Sequence, residues 1–179
     1  MGLDMYLYAE RYVSDWNEEG KELSNKLFEL TGKRIISFRT EVGYWRKANA
    51  IHKWFVDNCQ DGIDKCQTTF VSDEKLEELL ELVNRVLVDP KLAPELLPTG
   101  SGFFFGGTDY DDYYIDDLQY TKEIIEKVLN DESLNNYDFF YQSSWWVMNR
   151  KDIAELAFLF GIFTLFTYST VTLFIYCLD

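Results

Sequence analysis

Leu76, Leu79, Leu80, Val83, Val86 and Leu87 recur every three or four positions, with charged residues between them. That spacing is the period of an α-helix that is apolar along one stripe. Ser72 stands where an N-cap belongs. Asp73 and Glu74 fill the first turn, where carboxylates meet the positive end of the helix dipole. A helix apolar on one side must bury that side, so the rest of the chain has to supply a second layer.

The amino terminus supplies a candidate. Leu3, Met5, Leu7 and Ala9 alternate with Asp4, Tyr6, Tyr8 and Glu10, the period-2 pattern of a strand with one face inward. Ile35–Phe38, residues 66–71 and Tyr137–Ser143 read as further strands, and Gly100–Gly107 as an apolar strand bracketed by glycines. Helices are expected in the amphipathic piece before Gly32, over 43–57, and from the acidic run at 109–117 to about Asn130. In the second of these, Tyr44, Ala48, Ile51 and Phe55 fall on one face, with Trp45, Asn49 and His52 beside them. In the third, Leu118, Ile125, Val128 and Leu129 point inward. Pro90, Pro94 and Pro98 mark a loop. The expected architecture is α+β: a small mixed or antiparallel sheet with helices packed on one face, formed by residues 1–150.

Residues 151–179 form a separate hydrophobic segment. From Leu156 to Leu178 there is no charge. At 1.5 Å per residue, about 20 such residues span a bilayer core. Arg150 and Lys151 before them would keep the preceding domain cytoplasmic. The competing reading is a buried hairpin, Phe158–Phe166 against Thr170–Cys177, because Thr and Tyr interrupt the segment at its middle.

Composition narrows the class. Hydrophobic residues make up 47% and aromatics 17% of 179 residues, enough for a packed core. Three cysteines, Cys59, Cys66 and Cys177, and one histidine cannot assemble a structural zinc site, and reduced thiols in a cytoplasm are expected. The amino terminus lacks the basic start of a secretory signal. The net charge is −14, from 31 acidic and 17 basic residues. Such a surface repels nucleic acid phosphates and attracts basic protein surfaces.

The charge is unevenly placed. Residues 33–53 hold Lys33, Arg34, Arg39, Arg46, Lys47 and Lys53 against Glu41 alone. With Trp45, Asn49 and His52, this island has the residue types that grip a phosphate and stack a base; the plainer reading is a solvated face paired with the protein's own acids. His52 has the side chain of a general base, yet no nucleophile is set beside it by spacing. At 109–120, Asp109, Asp111, Asp112, Asp116 and Asp117 interleave with Tyr110, Tyr113, Tyr114 and Tyr120. Carboxylates in a cluster can hold Mg²⁺ or Ca²⁺, although the EF-hand pattern is absent. They can equally imitate the phosphates of a duplex, with Asp109, Tyr110, Asp111, Asp112, Tyr113, Asp116, Asp117 and Tyr120 as a protein interface. The third reading is an ordinary acidic helix start. Gly100–Gly107 matches neither phosphate-binding glycine pattern.

Three blocks carry a resemblance: Met1–Tyr8, Glu41–Phe55 and Leu97–Tyr114. Together they resemble a family of small proteins encoded by tailed phages and prophages, over residues 1 to about 146. The resemblance brings no established activity and no catalytic residue. It implies an accessory protein, a group that includes inhibitors of host defence such as the anti-CRISPR proteins. The expected function is therefore a binding protein rather than an enzyme, without cofactor or metal. Its expected partner is a basic nucleic-acid-binding host protein such as a CRISPR effector nuclease. Direct nucleic-acid binding is disfavoured, and membrane contact would run through 156–178. The alternative is a nucleotide-binding protein that sequesters or cleaves a defence signal through Trp45, Arg46, Lys47, Asn49, His52 and Lys53.

Overall fold

The computed structural model describes residues 2–13, 15–102 and 105–145. Both readings of residues 156–178 therefore lie outside the described residues. Strand β1 (Asp4–Tyr12) buries Met5, Leu7 and Ala9 and turns Tyr6 and Tyr8 the other way, as its alternation predicts. Helix α1 (Glu18–Thr31) is capped by the Asn17 side chain, which accepts from the Gly20 N–H at 2.7 Å. It ends at Gly32, whose φ of 65° needs no Cβ and lets its N–H reach the Phe28 carbonyl.

The chain departs furthest from its apparent helical pattern at the next element. Strand β2 runs from Ser37 to Arg46, and helix α2 only from Asn49 to Cys59. Tyr44, Trp45 and Arg46 are therefore strand residues, and the expected helical faces joining Tyr44 to Ala48, Ile51 and Phe55 and Trp45 to Asn49 and His52 do not exist. Gly43 and Trp45 point to the core while Tyr44 and Arg46 point away, a period of two. The break comes at Lys47, whose φ of 64° ends the strand before α2 begins.

Short strand β3 (Thr69–Val71) leads through the Ser72 cap into α3 (Asp73–Val88). A single-turn helix, α4 (Ala93–Leu96), lies in the proline-marked loop. Helix α5 (Asp112–Leu129) is capped by Asp111, which accepts from the Tyr114 N–H at 3.1 Å. Strand β4 (Asp138–Ser144) closes the described chain. The four strands form one antiparallel sheet in the order β2-β1-β4-β3, with a bulge in β2 opposite Leu7 and Tyr8. The fold is α+β, as expected, and of the two sheet types anticipated it is the antiparallel one.

The core lies between one face of this sheet and helices α2, α3 and α5. Leu76, Leu79, Val83 and Val86 of α3 meet Leu118, Ile125 and Val128 of α5 in one apolar cluster with Leu3, Met5, Leu7 and Trp45. The approach of α5 depends on Gly43. A Cβ there would lie 2.7 Å from Cγ2 of Ile124 and 3.3 Å from Cβ of Leu7.

Gly100–Gly107 is not a strand among its described residues. Its backbone groups bond to a side chain instead of a ladder. The Asn49 amide donates to the carbonyls of Phe105 (3.2 Å) and Gly107 (2.6 Å) and accepts from the Gly100 N–H (3.1 Å). Among the described residues no helix is long and apolar enough to cross a membrane.

Candidate functional site

Parts of the two charge clusters, far apart in sequence, line one cleft. A cleft of about 390 Å³ has Arg46, Lys47 and the first turn of α2 on one wall and Asp109, Asp111, Tyr113, Tyr114 and Asp117 on the other. Thr99, Gly106 and Gly107 complete it. The first turn of α2 has no side-chain cap, since Ala48 holds the N-cap position. Among the described residues neither Arg46 nor Lys47 makes an ion pair with the facing carboxylates.

Asp117 is the perturbed acid of this cleft. Burial, then the charges of Asp116 and Asp111, push its carboxyl up to about 6. Tyr114 beside it is buried and donates to the Leu97 carbonyl at 2.9 Å; burial, then Tyr110, pushes its hydroxyl up. The other members of the acidic run, in and just before the first turns of α5, are exposed. Tyr113 is 80% exposed, Tyr120 48% and Tyr110 42%, with Asp109, Asp111, Asp112 and Asp116 exposed among them. None of the five aspartates at 109–117 makes an ion pair among the described residues, and no group of three or more potential ligands is placed there to hold a metal ion.

The expected nucleotide site does not come together as drawn from sequence. Trp45 is 1% exposed, and its indole N–H donates to the Thr121 hydroxyl at 2.9 Å. Asn49 is buried and spends its amide on the loop described above. Lys53 pairs with Asp57 at 2.6 Å, one helical turn on. Of the six residues expected there, the cations Arg46 and Lys47 line the cleft without an ion pair among the described residues.

His52 is 3% exposed and both ring nitrogens are engaged. Nδ1 lies 2.8 Å from the Tyr141 hydroxyl and Nε2 2.9 Å from Oδ2 of Asp64. The same carboxylate accepts from the Trp145 indole (2.6 Å), the Ser143 hydroxyl (3.2 Å) and the Cys66 N–H (3.1 Å). Burial pulls the Asp64 carboxyl upward, but the hydrogen bonds from His52, Cys66 and Trp145 prevail and hold it below the usual carboxylate range. Tyr141 is fully buried, and that burial keeps its proton well above the ordinary tyrosine range; its hydroxyl and Nδ1 share one hydrogen bond, while Nε2 meets the Asp64 carboxylate. With no free ring nitrogen, His52 is a packing and hydrogen-bonding residue. Sequence reading missed this network because Asp64 and Tyr141 lie 12 and 89 positions from His52, at no diagnostic spacing.

No known protein family, curated protein or solved structure matches the chain.

Proposed function

We propose that the chain is a phage-type accessory binding protein that inhibits a host defence nuclease by occupying its basic nucleic-acid channel. The observation that carries this reading is the solvent face of early α5. Three exposed tyrosines sit among carboxylates that make no ion pair among the described residues. Folding does not account for an 80% exposed Tyr113 beside Asp109, Asp112 and Asp116. Protein interfaces are enriched in such tyrosines, and carboxylates along a helix offer a cationic channel what a phosphate backbone offers. Asp112 and Asp116 stand one turn apart, about 6 Å of helix rise. The net −14 adds long-range attraction to the same class of partner.

The partner is a basic nucleic-acid-binding protein of the host cytoplasm. A CRISPR effector fits, because its channel is positively charged and recognises duplex shape rather than sequence. The nucleotide-binding alternative has less support, since Trp45 and His52 are in the core and Lys53 is paired.

The test is competition. The purified protein should weaken target-DNA binding by a CRISPR effector, and the effect should fall steeply between low and physiological salt. Replacing Asp109, Asp111, Asp112 and Asp116 with Asn should abolish it, and Tyr113→Ala should weaken it by about tenfold or more, as loss of an interface anchor does. Inhibition unchanged by the Asn set would rule out mimicry through α5.

A further inference from the structure

The sheet has a second face. Asp4, Tyr6, Tyr8 and Glu10 of β1, Arg39, Glu41, Tyr44 and Arg46 of β2, and Phe140 and Gln142 of β4 alternate away from the core, and Phe70 of β3 joins them, 54% exposed. The face is aromatic and acidic at once. Tyr6 stacks parallel to Tyr8, with centroids 5.7 Å apart and planes within 9°. Tyr44 tilts against Tyr6 at 5.4 Å, and Phe70 meets Phe140 edge-on at 6.0 Å.

The protein places one of its own arginines on this face. The Arg39 guanidinium lies 5.1 Å from the Tyr8 ring centroid and 5.3 Å from that of Phe140. Glu10 accepts from its Nη2 at 2.7 Å and its Nε at 3.2 Å. A planar, weakly hydrated cation is thus stacked on rings and held by a carboxylate. The same parts recur one step along β1. Tyr6 and Tyr44 supply the rings and Asp4 the carboxylate, which accepts from the Tyr44 hydroxyl at 2.6 Å. Among the described residues no cation stacks on either ring, and Asp4, Glu41 and Asp138 make no ion pair.

From this repetition we infer that the outer face of the sheet, centred on Tyr6, Tyr44 and Asp4, docks arginine side chains from a basic segment of a partner protein. Asp4, Glu10, Glu41 and Asp138 outnumber Arg39 and Arg46 there, so the charge complements guanidinium and opposes a phosphodiester backbone. Tyr6, Tyr44 and Asp4 lie on the side of the sheet away from α5, with Arg46, opposite Asp4, at the edge shared with the cleft, and the peptide test below does not depend on the nuclease reading.

Hexa-arginine and hexa-lysine peptides are the probes, titrated into the full chain by calorimetry at about 0.15 M salt, where diffuse attraction is screened. Arginine should bind about tenfold tighter than lysine, because the ring contacts favour guanidinium. Tyr6→Leu and Tyr44→Leu should erase the preference, and the Tyr6 and Tyr44 ring signals should shift in NMR spectra of the unaltered protein. The Asn set on α5 should leave the preference intact. Equal affinity for the two peptides would overturn the inference. So would unmoved Tyr6 and Tyr44 signals, or an oligothymidylate that binds more tightly than hexa-arginine.

Discussion

Asp64 shows how one side chain can hold a polar core together. It accepts hydrogen bonds from His52, Ser143, Trp145 and the Cys66 backbone, tying the α2–β3 loop to the end of β4. Removing the carboxylate leaves several donors without partners, and each such loss costs about 1–3 kcal/mol. Asp64→Ala should therefore lower unfolding free energy by about 3 kcal/mol, measured by urea denaturation at pH 7. Because the folded state holds this carboxyl below its usual range, its contribution is present above about pH 4 and lost as the pH falls below that. Asp117 works in the opposite direction. Its carboxyl is pushed up to about 6, while an unfolded aspartate releases its proton near 4. The folded form therefore gains stability as pH falls through 6, and the charged group weakens it above. Asp117→Asn should raise stability at pH 7.5 by on the order of 1 kcal/mol, allowing for its partial exposure, with the gain fading towards pH 4. Thermal melts across that range check the sign.

At the level of elements, the join of β2 to α2 decides what the basic island can do. An apolar pattern starting at Tyr44 fits a helix if read from its far end, but residues 43–46 alternate and belong to the sheet. Trp45 is thereby carried into the core against Thr121 of α5, and Arg46 to the rim of the cleft. Helix α5 sits where it does because residue 43 has no side chain. Gly43→Ala should cost about 1–3 kcal/mol by overpacking against Ile124 and Leu7, read as a lower midpoint in denaturant. Asn49 does for the loop at 100–107 what a ladder would do for a strand. Asn49→Ala should leave the sheet folded while speeding amide exchange at Gly100, checked by hydrogen–deuterium exchange.

Over the whole molecule, the acids that give the net −14 repel one another in the compact state. The melting temperature should therefore rise by a few degrees as sodium chloride goes from about 0.01 to 0.15 M, as screening shortens the reach of that repulsion to about 8 Å. A flat profile would mean that local pairing, as between Arg39 and Glu10, already absorbs it.

Local pattern was enough for α3 with its Ser72 cap, for β1, for the Gly32 stop, for α5 beyond the acidic run, and for the α+β class. In each, period, cap and turn chemistry agree within a few residues, so neighbours along the chain fix the conformation. The exposure of most of the acidic and tyrosine side chains at 109–120 was legible for the same reason, since they lie around one helix start; Asp117, expected among them, is instead half-buried in the cleft. Four features were decided only by tertiary structure: the extension of β2 through Trp45, the loop held by Asn49, the network around Asp64, and the meeting of Arg46 and Lys47 with Asp111 and Asp117. Each joins residues from separate elements, and composition and spacing carry no record of which faces a fold will bring together. Burial then did the rest, turning Trp45 and His52 from candidate ligand-binding residues into core, because the free energy of a buried indole or imidazole with its hydrogen bonds met outweighs any preference read from a single helix face.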